Sequence, residues 1–408
     1  RNTSATHSRT EVFVLREEHP ARKSWRTISR ASNMPEVDLG SDEPLLELDA
    51  TKLIIRKTQR PLPKCEPEQL GFGKVISDHM LRCVWKAGEG WMAPEIIQSG
   101  PIALHPFSHV LHYGIECYEG MKVYKDGNGE VRMFRPSNNM ERLNVSAARL
   151  AMPSFDGEAL LECIKRLVKL EKDWIPEKRG YSMYLRPVMF STTPWLGLTT
   201  VSEAQLYVLC CPVGPYFKSG FVPIKLHVET EQIRAWPGGT GNVKAGGNYG
   251  PTVNSQVRAA RAGCSQALYC YGEEALITEA GTMNIFFLWT TRAGERQLVT
   301  PTLGDGCILP GVTRLSVLEL AAEWGETVVE KSLPVAEVLD AAREGRLHEA
   351  FGTGTAAVIQ PVSGIQHEGE DFMLPEESTM ESSLQCRLTE AILAIQYGET
   401  PHPWSVVA

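Results

Sequence analysis

The chain has 408 residues, 43% hydrophobic and 22% charged, with a formal net charge of -8. That length buries a sizeable core and suggests two domains, three at most. The charge balance excludes a global attraction to nucleic acid or anionic membranes, and the longest apolar run, Leu206 to Val213, is far short of the ~20 residues that span a bilayer. No nucleic acid and no membrane is expected as a partner.

Residues 1–33 carry six arginines and one lysine with little apolar periodicity. This is partly the composition of a mitochondrial transit peptide, against which Glu11, Glu17 and Glu18 count. A disordered extension is the equal alternative, with Met34 a candidate start. The compartment is accordingly left between mitochondrion and cytoplasm. Residues 1–65 are set apart as an N-terminal extension.

The pattern then predicts a strand at Leu53–Ile55, an alternating strand from Phe72 to Trp85, a short strand at Ile102–Leu104 and a turn or short helix over Leu111–Tyr118. Lys122–Lys125 and Val131–Phe134 flank Asp126-Gly127-Asn128-Gly129, a hairpin signal. Helices follow at Ser137–Leu150 and Gly157–Trp174, each with one apolar face, then strands at Tyr181–Phe190 and Gln205–Cys211. Pro and Gly punctuate the chain around Pro212–Gly220, which places a linker at 213–223 between a small domain (66–212) and a large one (224–408). The second half alternates strands (Ile224–Val228, Gln266–Tyr271, Leu276–Glu279, Asn284–Trp289, Gln297–Thr300) with helices (Pro251–Ala262, Gly311–Trp324, Val335–Glu344) and closes on a helix at Met380–Tyr397. The class is α+β with mixed sheets in two domains. Ten cysteines, none at Cys-x-x-Cys spacing, suit reduced thiols of an intracellular protein.

Chemistry concentrates at Gly238–Gly250, where six glycines in thirteen residues surround Lys244. The loop lacks the G-x-x-x-x-G-K-[ST] phosphate pattern and the G-x-G-x-x-G dinucleotide fingerprint. A flexible surface loop is the plain alternative. A desolvated lysine that forms a Schiff base with a carbonyl cofactor such as pyridoxal phosphate is the other. That cofactor needs an acid for its pyridine nitrogen and a cup for its phosphate. Glu279, at a strand end before small residues, supplies an acid whose burial a cationic partner such as a protonated pyridine would explain; a turn glutamate in water is the plain alternative. The helix start at Leu309-Pro310-Gly311-Val312-Thr313 presents free N–H groups to an anion. Phe351–Ala357 is a small-residue loop suited to close approach. His105, His109 and His112 would share a face if helical, but Pro106 argues for a strand-loop path, so no metal is assigned.

Taken in order, these segments resemble the fold-type IV pyridoxal-phosphate enzymes, and among them the eukaryotic-type members of the branched-chain amino acid aminotransferase family. The resemblance spans about Phe72 to Trp404. It rests on His112-Tyr113-Gly114 with Glu119-Gly120-Met121-Lys122, Phe134-Arg135-Pro136 with Met140-Glu141-Arg142, and Tyr184-Leu185-Arg186-Pro187. Arg234-Ala235-Trp236, the lysine loop, Thr278 to Asn284, Ile308 to Gly311 and Gly354-Thr355-Ala356 complete it.

The resemblance implies a two-domain fold, with a small N-terminal α/β domain and a larger mixed-sheet domain. It implies pyridoxal 5'-phosphate as cofactor and transfer of the amino group of leucine, isoleucine or valine to 2-oxoglutarate in a ping-pong cycle. Lys244 would carry the Schiff base and move the α-proton, Tyr249 would bond the phenolic oxygen, and Glu279 would pair with the pyridine nitrogen. Arg142, Val312, Thr313 and Thr355 would bind the phosphate, and the peptides of Thr355-Ala356-Ala357 the substrate carboxylate. Phe72, Tyr113, Tyr118, Tyr184 and Thr282 would form the side-chain pocket, apolar burial contributing ~0.8 kcal/mol per CH₂. Arg186 at its rim suits the second carboxylate of glutamate. Leu196 and Leu198 would come from a neighbouring subunit and Tyr113 would reach the other site, so a homodimer is implied. Arg234 would lie near the entrance. Mammalian members resemble one another in a Cys-x-x-Cys redox switch; Ala357 and Gln360 stand there, so no switch is expected. A D-amino-acid aminotransferase, an aminodeoxychorismate-type lyase and a catalytically dead homologue are the alternatives. Tyr184-Leu185-Arg186 and Gly246-Gly247-Asn248-Tyr249 speak against the first two, and retention of Lys244, Tyr249 and Glu279 against the third.

Overall fold

A computed structural model describes residues 45–214 and 222–408. The N-terminal stretch 1–44 and most of the expected 213–223 linker lie outside the described residues. Two sheets carry the fold. The first contains β1 (Ile54–Ile55), β2 (His79–Lys86), β3 (Gly90–Trp91), β4 (Glu95–Gln98), β5 (Glu116–Tyr118), β6 (Met121–Lys125), β7 (Val131–Phe134), β8 (Ser182–Ser191) and β9 (Glu203–Val213). Their order is β1-β4-β2-β9-β8-β6-β7, with β3 on β2 and β5 on β8. The apolar run in β9 follows from its central place, antiparallel to both β2 and β8. Three helices go with this sheet: α1 (His109–Tyr113), α2 (Pro136–Arg149) and α3 (Gly157–Leu170). Met140, Leu143 and Ala147 of α2 and Leu160, Ile164 and Leu167 of α3 share one core with Leu81, Met183 and Leu206 of the strands. Asp156 caps α3 by accepting the N–H groups of Glu158 and Ala159.

The second sheet holds β10 (Ile224–Glu229), β11 (Gln266–Tyr271), β12 (Leu276–Ala280), β13 (Asn284–Thr290), β14 (Arg296–Pro301), β15 (Val328–Lys331), β16 (Leu347–Gly354), β17 (Val358–His367) and β18 (Glu370–Met373). It mixes parallel and antiparallel pairs in the order β12-β11-β10-β17-β16-β13-β14-β15. Helices α4 (Thr252–Arg261), α5 (Val312–Glu323), α6 (Val335–Arg343) and α7 (Leu384–Gln396) accompany it. The last strand, β19 (Ser405–Val407), returns to pair with β7 of the first sheet. The α+β class and two-sheet architecture follow.

Several boundaries differ from expectation. The alternation after Phe72 is not strand until His79, because Lys74 N–H closes a turn on Gly71 O at 3.3 Å and Gly73 takes φ +69°. Ile102–Leu104 forms no strand; Pro101 and Pro106, which have no N–H to extend a ladder, flank it. Leu111–Tyr118 divides into the end of α1 and β5. The helix expected to reach Trp174 ends at Leu170, and the last begins at Leu384 on its Ser383 cap rather than at Met380. Phe351–Ala357 is not a loop throughout. Its first four residues lie in β16, where Met283 fills the room a side chain would take: a Cβ at Gly352 would stand 2.9 Å from Met283 Cε.

Candidate active site

Between the two sheets lies a cavity of about 280 Å³. β5 brings Tyr118, β8 brings Tyr184 and Arg186, and α2 brings Arg142. The opposite wall comes from the lysine loop, the β12–β13 turn, the start of α5 and the β16–β17 turn. Lys244 is pinned from both sides. Its N–H donates to Ser146 Oγ at 2.9 Å, and its carbonyl accepts Tyr118 N–H at 3.1 Å. Its Nζ donates to Tyr249 Oη at 3.2 Å and sits over the Tyr118 and Tyr249 rings at 4.9 and 5.3 Å. Burial, with Tyr249 alongside, pushes the Tyr118 phenol well above its usual value.

The glycines serve protein contacts as well as the cavity. A Cβ at Gly241 would stand 2.4 Å from Cys307 O, and one at Gly246 would meet Glu116 Oε1 at 1.5 Å. Asn248 knits the loop, its Nδ2 donating to Thr240 O and Val243 O at 2.7 and 2.9 Å.

The anion end is built from α5 and α2. Gly311 precedes α5 without a side-chain cap, and Val312 and Thr313, whose N–H groups have no intrahelical acceptor, line the cavity. A Cβ at Gly311 would collide with Asn284 Oδ1 at 2.0 Å. Arg142 donates to Glu119 through Nε and Nη2 (2.6 and 2.8 Å) and to Pro310 O through Nη1 (2.9 Å). Two of its five N–H groups are left over. Burial would raise the Glu119 carboxyl, but the Arg142 charge and hydrogen bonds outweigh it and hold it below the usual range. Thr355 lines the cavity, and its hydroxyl donates to Gly120 O at 3.2 Å.

Glu279 lies just behind the lining. It accepts Leu309 N–H at 2.9 Å and pairs with Arg234 at 2.9 Å, both side chains almost fully buried. Arg234 is therefore not at the entrance. It is the cationic partner the buried acid requires, and its guanidinium carbon lies 5.7 Å from the Tyr249 ring.

At the substrate end Phe72 meets Tyr184 edge-on at 4.8 Å, and Arg186 stacks over Tyr118 at 4.5 Å and donates to Tyr184 Oη at 3.2 Å. Thr282, Ala356 and Ala357 close that wall. Tyr113, Leu196 and Leu198 do not line this cavity; they are exposed, with Tyr113 Oη donating to Leu196 O. The three histidines are each tied to backbone: His105 accepts Phe107 N–H, while His109 and His112 meet Gly197 O and Pro106 O. His109 and His112 fall within α1, contrary to the strand-loop path expected there.

Glu119, Lys122, Arg234, Gln266 and Asn284 carry or adjoin the site, and of these the resemblance assigns a place only to Arg234, at the entrance. Glu119 and Lys122 stand in a motif already noted, and a carboxylate between a glycine and a tyrosine was the available signal.

The Amino-transferase class IV family model matches residues 116–365. The chain is similar to the mitochondrial branched-chain-amino-acid aminotransferase of Bos taurus, 46% identical over 360 residues, 87% of this chain and 91% of the relative. It is also similar to the cytosolic form of Ovis aries, 44% identical over 371 residues, 90% and 95% respectively. Among solved structures it resembles the branched-chain aminotransferase of the thermophilic archaeon Thermoproteus uzoniensis with norvaline. That match has TM-score 0.63 and 26% identity, covering 80% of this chain and 98% of that one. A further solved branched-chain amino acid aminotransferase of the same fold, at 25% identity and TM-score 0.63, is complexed with N-(5'-phosphopyridoxyl)-L-glutamate.

Proposed function

The chain belongs to the class IV aminotransferases, and we propose that it moves the amino group of leucine, isoleucine or valine to 2-oxoglutarate, giving branched-chain 2-oxo acids and glutamate. The observation that carries this is one cavity joining a tyrosine-flanked lysine, an uncapped helix start beside Arg142, and an aromatic pocket with an arginine in it. The cofactor is pyridoxal 5'-phosphate, and the residues present fit it. Lys244 is the attachment point, Val312 and Thr313 N–H with the spare Arg142 donors form the phosphate cup together with the Thr355 peptide, and Glu279 backs the ring.

When bound, pyridoxal phosphate supplies a carbonyl carbon for the substrate nitrogen and a ring that accepts the electrons left as the α-proton departs. Lys244 Nζ, freed when the substrate nitrogen takes its place, would accept and return that proton, held in reach by its own backbone bonds to Ser146 and Tyr118. Tyr249 Oη orients the amine and would donate to the cofactor's phenolic oxygen. Glu279, held by Arg234 and Leu309 N–H, would stand beside the pyridine nitrogen as its acidic partner. Phe72, Tyr118, Tyr184 and Thr282 receive a branched apolar chain by burial. Arg186 and the phenols answer the second carboxylate of glutamate when it enters in the other half-reaction. The Thr355-Ala356-Ala357 peptides receive the α-carboxylate common to both.

The exposed Tyr113, Leu196 and Leu198 suit a homodimer in which this surface completes the partner's pocket. Relatives of both mitochondrial and cytosolic type support mitochondrion or cytoplasm as the compartment.

A donor panel tests the proposal. The cofactor-loaded protein is expected to convert L-leucine, L-isoleucine and L-valine with 2-oxoglutarate; activity with D-alanine alone would overturn it.

A further inference from the structure

Lys122 stands on β6 opposite Tyr184 of β8, behind the wall that the β16–β17 turn presents to the cavity. Its Nζ donates to Ala356 O at 2.7 Å, and among the described residues it makes no ion pair. Burial alone pushes its ammonium down to about 8. A half-buried charge with no counter-ion among the described residues is a cost to folding. Its position therefore has to be explained by what it touches.

It touches one carbonyl of the turn proposed to receive the substrate α-carboxylate. The described residues contain no cis peptide bond. In a trans peptide the C=O of one residue and the N–H of the next point in opposite directions. With the Ala356 carbonyl drawn toward Lys122, the Ala357 N–H is turned the other way, and Ala357 is a residue of the cavity lining. Thr355 Oγ1, donating to Gly120 O at 3.2 Å, pins the same turn two residues from Lys122. The turn belongs to the second sheet and both anchors to the first, so the two bonds set its position across the cleft. A cation on the carbonyl end also polarises the peptide and strengthens its N–H as a donor.

We propose that Lys122 is a positioning residue for the substrate carboxylate: by holding Ala356 O it aims the Ala357 N–H into the cavity and adds positive potential to the anion site there. This deepens the proposed function and rests on it. Every substrate carries the α-carboxylate, so the contribution is shared by leucine and glutamate. A residue answering only the second carboxylate, as proposed for Arg186, would affect glutamate alone.

The test uses cofactor-loaded enzyme and 4-methylvalerate, the leucine skeleton without its amino group, titrated by the cofactor's absorbance. Removing a hydrogen bond that involves a charged group raises Kd on the order of tenfold. Lys122→Met is expected to show that rise for 4-methylvalerate and in KM for leucine and glutamate together. Its kcat should stay close to wild type, the pattern of lost uniform binding. Lys122→Arg should restore most of the affinity. An unchanged Kd in Lys122→Met, a loss confined to kcat, or a KM change for glutamate only would overturn the proposal. Should Lys122→Met not fold, Lys122→Gln keeps a donor without the charge; wild-type affinity in it overturns the electrostatic role, and weakened affinity supports it. If instead the wild-type enzyme neither binds 4-methylvalerate nor converts leucine, it is the proposed function that has failed.

Discussion

Arg234 and Glu279 face each other at 2.9 Å, both almost completely removed from solvent. The pair lies behind the cavity wall formed by Leu309 and Asn284, and Glu279 also accepts Leu309 N–H. Breaking one side of such a pair leaves an uncompensated buried charge, which costs about 3–5 kcal/mol. Arg234→Met should therefore lower the unfolding free energy by that order in a denaturant melt. Glu279→Gln should reduce kcat on the order of 10²-fold, the scale of losing one preorganised electrostatic partner. The double variant should regain stability but not rate; regained rate would show that Glu279 acts only through packing.

Glu119 holds Arg142 by two hydrogen bonds and is itself fully buried. Glu119→Gln should destabilise the cofactor-free protein by about 3–5 kcal/mol, since the guanidinium loses the one carboxylate it pairs with among the described residues. Adding pyridoxal phosphate should then raise its melting temperature by more than it raises that of wild type, because a phosphate supplies the missing anion. Equal shifts in the two proteins would mean that Arg142 does not meet the phosphate.

Gly241 allows the lysine loop to lie against the 305–308 backbone, where a Cβ would come within 2.4 Å of Cys307 O and 2.6 Å of Ala235 Cβ. Gly241→Ala should cost about 1–3 kcal/mol, typical of overpacking that backbone must relieve. Gly247 has open space around its would-be Cβ, and Gly247→Ala should melt within a degree or two of wild type.

The lowered pKa of Lys122 makes a prediction with a definite sign. Its folded value is about 8 against 10.5 unfolded, so between those pH values the unfolded chain holds more protons. Stability from this residue then rises with pH through that window and is lost as pH falls through 8. Tyr184 opposite on β8 and Arg186 further along the same strand are the titratable or charged groups of that neighbouring strand nearest in register. The melting temperature of wild type minus that of Lys122→Met should increase from pH 7.5 to 9.5. Affinity of wild type for 4-methylvalerate should fall over the same interval.

Leu198 is 73% exposed beside exposed Trp195 and Leu196. Leu198→Glu should shift the sedimentation of the purified protein from dimer toward monomer and raise KM for leucine. A dimer unchanged in mass and activity would remove this face from the proposed interface.

Local pattern determined much of this protein. The helices of the first sheet were legible because their apolar residues recur on one face, and β11 and β13 because apolar residues run between glycines and turns. Lys244 stood out by its glycines, Glu279 by its place at a strand end, and Gly311 as the residue before a helix. What no local pattern contains is who faces whom. Arg234 and Glu279 are 45 positions apart, Glu119 and Arg142 23, Lys122 and Ala356 234, and each pair meets only after the sheets have packed. Gly352 reads as loop until Met283 arrives to fill its side-chain space. Residue type sets what a group can donate, accept or carry, whereas its charge state and its partner depend on burial and distance, which belong to the folded chain.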